Sequence, residues 1–346
     1  MKTSTYTIGL DLSDRKVAVC VLDGSGKVVE ETSLPNEVKT YVAISGTYPG
    51  ATIALETGTH SPWVSRTLST HSMKVLVANA RKLRAIYKSD HKSDQNDARM
   101  LAKIARVDPE LLSPIQHRSE AAQKDLIKLK VRQSLVQARV KHINSARTLL
   151  KSIGVRLPSQ ISSEAFPRKA REHLEPEHLE LIEMLIDAVE ELNERIKILE
   201  QQLQQMAASK YPVTERLRQI PGVGPMTALC FVLSIENHQR FKRARDIGPF
   251  LGLTPKKDQS GESDKQLRIT KAGNTQLRCL LVNCAHYILG RWGPDCDLRE
   301  AGLRICARGG SISKKRAVIA TARKLAVTLL AIWKSGQDYR PLRISC

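Results

Sequence analysis

Aromatic side chains are scarce: four Phe, seven Tyr and three Trp make up 4% of the 346 residues. A protein whose main work is stacking successive bases of a single strand needs more such platforms, so that class is set aside. Long apolar runs are missing too. Nothing approaches the run of about 18 apolar residues that a membrane span requires; the best candidate, Leu325–Trp333, is short and follows Arg323 and Lys324. No membrane partner is expected. The N-terminus reaches Asp11 and Asp14 without an apolar stretch, so no secretory signal is expected either. The seven cysteines, at 20, 230, 279, 284, 296, 306 and 346, include no Cys-x-x-Cys pair. That speaks against a zinc ribbon or a disulfide framework and fits reduced thiols in the cytoplasm.

Acid is in short supply as well. Against 55 Lys+Arg stand 35 Asp+Glu, a formal charge of +20. An excess of this size points to a polyanion partner, of which nucleic acid is the commonest. It is unevenly spread: 24 of the basic but only 10 of the acidic residues follow residue 210. With 41% hydrophobic and 26% charged residues the chain is that of a folded protein. At about 150 residues per domain its length implies two or three domains. Charge and pattern divide it into residues 1–115, 116–210 and 211–346.

The first segment alternates strands and helices. Tyr6–Leu10, Lys16–Leu22 and Lys27–Leu34 are β-prone, the last two joined by the turn Asp23-Gly24-Ser25-Gly26. Ala51–Leu55 and Met73–Ala78 are further apolar runs, with helical stretches near 36–45 and 60–70. A three-strand meander followed by alternating helices and strands is the order of an RNase H-like domain.

Four acids stand out against that pattern. Asp11 follows the first strand's apolar run and Glu56 closes Ile53-Ala54-Leu55. A carboxylate at the end of a buried strand is costly unless it lies at the rim or binds something. In Lys92-Ser93-Asp94-Gln95-Asn96-Asp97-Ala98, Ser93 or Asp94 suits a helix cap, and Asp94 and Asp97 share a helical face. Taken singly, the helical pair complements a macrodipole and Asp11 is a turn acid. Together, four convergent carboxylates call for cations, and an oxygen-only ligand set selects Mg²⁺ or Mn²⁺. Such ions activate an attacking oxygen and stabilise a leaving one at a phosphodiester.

The middle segment reads as helical. Arg118–Lys151 lacks Pro and Gly and carries Lys124, Lys128, Lys130, Arg132, Arg139, Lys141 and Arg147 against only Glu120 and Asp125. A solvated basic face is the ordinary reading of such a helix; the shortage of pairing acids favours one that tracks phosphates. Beyond a Pro/Ser-rich break, Ile182, Val189, Ile196 and Leu203 repeat every seven residues, as do Leu185, Leu192, Leu199 and Met206 three positions later. This heptad stripe predicts a coiled coil, formed with the basic helix or with a second subunit, and dimerisation is the sharper expectation.

In the third segment Pro221-Gly222-Val223-Gly224-Pro225 stands between helical runs, the pattern of a helix-hairpin-helix. There Gly222 and Gly224 would let backbone N–H groups approach a phosphate; the alternative is a tight turn with no ligand. Leu251-Gly252-Leu253-Thr254-Pro255 follows, then Gln259-Ser260-Gly261 and Ile269-Thr270-Lys271-Ala272-Gly273-Asn274. On spacing alone a Ser-Gly in a polar loop is usually only a loop. Ser260 could nevertheless be a nucleophile on phosphorus, with Arg268, Lys271 and Arg278 holding the non-bridging oxygens. Lys314–Trp333 reads as a packing helix.

The whole pattern resembles the DEDD transposases of insertion-sequence family 110, the bridge-RNA-guided recombinases. Asp11, Glu56, Asp94 and Asp97 match the acidic tetrad, and PGVGP, LGLTP, SG and ITKAGN match the C-terminal domain, with Gln259 where the family often has a first Ser. The resemblance implies α/β plus all-α architecture. An N-terminal RNase H-like (RuvC-like) domain would precede a central helical coiled coil and a C-terminal helical domain with a helix-hairpin-helix. It implies a DNA recombinase that cuts and rejoins donor and target double-stranded DNA. A structured non-coding guide (bridge) RNA would pair with both, held by Lys124, Lys128, Arg132, Arg139, Lys141 and Arg147. Ser260 would form a transient phosphoserine link, assisted by Mg²⁺ on the tetrad. The expected assembly is a homo-oligomer, a dimer or a dimer of dimers in the synaptic complex, in the bacterial cytoplasm and at the nucleoid when acting. Guide pairing would leave the protein only backbone contacts to make, which agrees with the low aromatic count. The competing readings are a RuvC-type junction nuclease in which water attacks, and a non-catalytic nucleic-acid-binding scaffold that leaves the acids unexplained.

Overall fold

The computed structural model describes residues 6–86, 93–260 and 263–342. The chain forms two compact units that divide between Ser119 and Glu120.

Unit 1 is built on a five-stranded sheet. In chain order its elements are β1 (Thr7–Leu12), β2 (Lys16–Leu22), β3 (Val28–Pro35), α1 (Val38–Thr47), β4 (Thr52–Glu56), α2 (Ser61–Thr70), β5 (Lys74–Ala78), α3 (Ala80–Ile86) and α4 (Asp94–Val107). The strand order is β3-β2-β1-β4-β5, antiparallel through the first three and parallel from β1 to β4 to β5. This mixed sheet is consistent with an RNase H-like domain. The Asp23 side chain fixes the β2–β3 turn by accepting from the backbone N–H groups of Ser25 (2.8 Å) and Lys27 (3.0 Å). Hydrogen bonds from Ser25, through its hydroxyl and its backbone, and from Lys27 hold the Asp23 carboxyl below the usual carboxylate range.

The two faces of the sheet differ in side-chain size. Ile8, Leu10, Val17, Val19 and Val21 pack with Tyr41 and Ile44 of α1 and Val64 and Leu68 of α2. On the other face Ala18, Cys20 and Leu22 meet Ala98 and Ala102 of α4. Small residues let the helix come close. Gly9 is the extreme: a Cβ there would sit 1.9 Å from the Ala98 carbonyl oxygen.

Unit 2 is mainly helical. It contains α5 (Glu120–Ser152), α6 (Phe166–His173), α7 (Pro176–Lys210), α8 (Val213–Leu217), α9 (Pro225–Ile235) and α10 (Ile247–Phe250). A hairpin of β6 (Pro255–Ser260) and β7 (Ser263–Ile269) follows, then α11 (Thr275–Leu289), α12 (Asp297–Cys306) and α13 (Gly310–Ser335). The second and third segments of the sequence share one core here: Leu126, Leu129 and Leu203 pack with Leu229, Leu281 and Leu325. α13 is the packing helix that its pattern implies, with Leu325, Leu329 and Leu330 fully buried.

The heptad stripe has an internal partner. Ile182, Val189, Ile196 and Leu203 are all buried within the chain. At one end Ile182, Ile186 and Val189 meet Ile143, Ala146 and Leu150 of α5; at the other, Leu203 and Met206 meet Ala122, Leu126 and Leu129. α5 and α7 therefore lie antiparallel, and the expectation that this stripe pairs subunits is corrected: α5 already supplies the apolar surface. Among the described residues no helix is long and apolar enough to cross a membrane.

Candidate active site

The register of β1 and β4 positions the first two acids. Gly9 pairs with Ala54 and Leu10 with Leu55, so one step further Asp11 stands beside Glu56 on neighbouring strands, which lie about 4.8 Å apart. Strand alternation puts Asp11 on the face of Gly9 and Glu56 on that of Ala54, the face that α4 covers. Both acids are half-buried at the strand ends.

α4 brings the other two to the same end. Its Gln95 donates to the Val19 carbonyl (3.0 Å), opposite Leu10, whereas Arg99 pairs with Glu31 of β3 (2.6 Å), opposite Cys20 and hence in line with Gly9. Arg106, near the last turn, donates to the Gly24 carbonyl beyond the far end of β2. The helix therefore runs antiparallel to β1, with its first turn near Asp11. Ser93 caps it, its hydroxyl accepting from Asn96 N–H (3.2 Å), and Asp94 and Asp97 lie in that first turn.

The four acids share one end and one face of the sheet. Among the described residues, no three His, Cys, Asp or Glu side chains come close enough together to share an ion. The donor chemistry nevertheless suits a hard divalent cation, being carboxylate oxygen throughout.

Two contacts that periodicity does not reveal tie the loops at this end. His60, four residues after Glu56, meets Asp14, three after Asp11, at 3.0 Å through Nε2, while Trp63 donates to His60 Nδ1 (3.3 Å). His117 Nε2 lies 2.9 Å from the Ser61 hydroxyl, which itself bonds the Gly58 carbonyl (2.9 Å). Burial, helped by Arg66 and Arg118, lowers the His117 pKa below its ordinary value. Both contacts brace the segment that follows Glu56.

In unit 2 the LGLTP and ITKAG motifs form one interlocked structure. Lys271 N–H donates to the Gly252 carbonyl (3.1 Å) and Thr270 N–H to that of Thr254 (2.9 Å). Gly252 and Gly273 both have positive φ; a Cβ on Gly252 would lie 2.1 Å from the Ala272 nitrogen, and one on Gly273 2.1 Å from the carbonyl oxygen of Phe250, just before LGLTP. The β6–β7 hairpin rises from this base, and Ser260, the last residue of β6, pairs with Ser263 beside the turn. Gly261 and the side chain of Ser260 lie outside the described residues.

The three cations expected around that serine divide. Arg268 and Lys271 are exposed. Arg278 is 7% exposed, and its guanidinium donates to the carbonyls of Leu251 (3.0 Å) and Ala272 (2.7 Å) and to the Thr275 hydroxyl (3.1 Å). It clamps the two motifs together, so its expected place on a phosphate is corrected: the buried carbonyls occupy its donors.

The PGVGP turn links α8 to α9, with Gly224 as the N-cap of α9. Gly222 takes φ +85, and a Cβ there would lie 2.7 Å from the Tyr287 ring of α11. Close packing alone therefore requires this glycine. Gly224 has open space around it. α9 itself is buried from Thr227 to Ile235 and forms the centre of unit 2.

Comparison with known proteins covers the same two blocks. Residues 8–155 match the IS110-type DEDD family described as "Transposase", and residues 214–299 match "Transposase IS116/IS110/IS902 family". The chain belongs to the IS110/IS116 family of transposases. It is 26% identical over 344 residues to the transposase for insertion sequence element IS1111A of Coxiella burnetii, covering 96% of this chain and 91% of that protein. A probable family 20 transposase of Pseudomonas aeruginosa is also 26% identical, over 96% of this chain and 98% of its own. The transposase for insertion sequence element IS1328 of Yersinia enterocolitica is 28% identical over 248 residues, 71% of this chain and 73% of that one. As a transposase the chain acts on DNA, cleaving and rejoining it.

In this transposase the cations of α5 fall into two groups. Arg132 pairs with Glu200 (2.8 Å), Arg139 donates to Asn193 (2.8 Å), and Arg147 donates to the Pro158 carbonyl (2.7 Å) while lying over the Phe166 ring. These three hold α5 to α7 and to the segment after α5, a structural task that uses the donors assigned above to RNA. Lys124 is exposed and pairs with Glu120 on its own helix (2.6 Å). Lys128 and Lys141 are exposed.

Proposed function

We propose that this transposase is an RNA-guided recombinase that cuts and rejoins donor and target DNA through Ser260, assisted by the acids of unit 1. The observation that carries the reading is the meeting of strand ends and helix start in unit 1. Asp11 and Glu56 stand on adjacent parallel strands, and Asp94 and Asp97 open the helix that covers them. The order of those acids, followed by the serine hairpin, is the DEDD-and-serine pattern of the family.

In this reading the Ser260 hydroxyl oxygen bonds to phosphorus while the bond to one strand-end oxygen breaks, and the proton the hydroxyl gives up passes through solvent to that leaving oxygen. The phosphodiester is conserved as a phosphoserine linkage, and a new strand end reverses the step. Asp11, Glu56, Asp94 and Asp97 would hold Mg²⁺ or Mn²⁺, which supplies charge neutralisation to oxygens that become anionic in the transfer. His60 and Asp14 keep the loops after β1 and β4 in place. Arg268 and Lys271, both exposed, neutralise phosphate beside the hairpin. Lys128 and Lys141 offer phosphate contacts to a structured RNA, whose base pairing selects the DNA.

A strand-transfer assay with donor DNA, target DNA and the element's own non-coding RNA tests the proposal. Transfer is expected only with RNA present, and Asp11→Asn is expected to abolish it while leaving RNA affinity within about twofold. Transfer without RNA would remove the guide from the scheme, and unfolding of the variant would make Asp11 structural.

A further inference from the structure

We propose that Trp292 is a stacking platform for an unpaired base of bound nucleic acid. Of the three tryptophans, Trp63 packs edge-on against Tyr41 (5.5 Å between centroids) and Trp333 stacks on His238 (5.1 Å). Trp292 is instead 79% exposed.

Its exposure is built in. The loop from α11 to α12 is tied down by Arg299, whose guanidinium donates to the carbonyls of Ile288 (2.6 Å) and Gly290 (2.7 Å). Gly293 N–H closes a turn onto the Gly290 carbonyl (3.1 Å), and a Cβ at Gly293 would lie 2.0 Å from the Ile288 oxygen. At the far end Cys296 is buried and Asp297 N–H bonds the Pro341 carbonyl (2.9 Å). The indole is thus held in water by a braced loop, with little ordering left to oppose binding.

Charge and shape choose the occupant. The Arg291 guanidinium lies 4.9 Å from the indole centroid, which leaves the opposite face for a flat partner and sets a cation beside it for a phosphate. Tyr287, 50% exposed on the last turn of α11, stands against Gly222 of the PGVGP turn, so a second aromatic surface adjoins the start of α9. The residues after 210 carry 24 basic against 10 acidic side chains, which favours a polyanion and disfavours a second copy of the same cationic surface. In a duplex each base already stacks on its neighbours, so a single platform gains contact only with an unpaired one. The inference rests on the DNA-acting function of the chain, since strand exchange must unpair bases.

The test titrates the full-length protein into a short labelled oligothymidylate and, separately, a labelled duplex, reading polarisation. Trp292→Ala is expected to weaken single-strand binding about tenfold, Trp292→Phe to restore most of it, and duplex affinity to stay within about twofold throughout. Unlabelled oligothymidylate should quench wild-type tryptophan emission and leave that of Trp292→Phe nearly unchanged. Unchanged single-strand affinity in Trp292→Ala would overturn the proposal. So would an equal loss on both probes, or a change in subunit number in that variant, which would assign the ring to a protein contact. Failure of the wild type to bind the duplex would instead overturn the nucleic-acid reading of this surface.

Discussion

Arg268 and Arg278 carry the same charge ten positions apart and do different work. Arg278 spends its donors on buried carbonyls, and Arg268 is exposed on β7. Removing a buried donor leaves acceptors unsatisfied, at about 1–3 kcal/mol each. Arg278→Gln should therefore lower the melting temperature, and DNA binding with it. Arg268→Gln should leave melting unchanged, weaken DNA binding across sequences and reduce the salt slope by about 1. Calorimetry and salt-titrated binding separate the two; equal melting curves would return Arg278 to the phosphate. Residue type did not reveal this difference, because whether an arginine faces inward depends on the interlocked glycine turns. Asp11 and Glu56 were legible because a carboxylate that closes an apolar strand is costly to bury and so marks a rim or a binding site. The bracing contacts were not, since His60 and Asp14 are 46 residues apart and His117 and Ser61 are 56 apart.

At the scale of elements, periodicity marked where apolar surface lies but not what covers it. The heptads of α7 were plain in the sequence. The matching surface on α5 was hidden among cations, three of which join that helix to its neighbours. Val189 is fully buried in the cluster with Ile143 and Ala146. Val189→Asp places an uncompensated charge there and should destabilise unit 2 by at least about 3 kcal/mol, with the subunit number unaltered while the chain stays folded. Denaturant melts and light scattering check both halves. An intact fold with fewer subunits would restore the stripe to an intermolecular role. The strands of unit 1 were easier to read, because a β2–β3 turn with two glycines and alternating apolar runs leave few other pairings.

At the scale of the whole molecule, the excess of cations after residue 210 predicts that most phosphate contacts are made by the C-terminal part of the chain. A boundary near residue 115 lies close to the junction at Ser119 and Glu120. No second boundary at 210 separates compact units, since Leu203 and Met206 of α7 share one core with Leu229 of α9 and Leu325 of α13. Length and charge could not show that sharing. Where the strand-breaking chemistry resides is tested most directly by trapping it. The protein would be incubated with Mg²⁺, its element-derived RNA and both DNAs, then denatured and examined for a covalent protein–DNA adduct beside Ser260→Ala. A serine recombinase gives an adduct in the wild type and none in the variant. Cleavage with no adduct, unaffected by Ser260→Ala and abolished by Asp11→Asn, would contradict it and make the enzyme a metal-dependent nuclease.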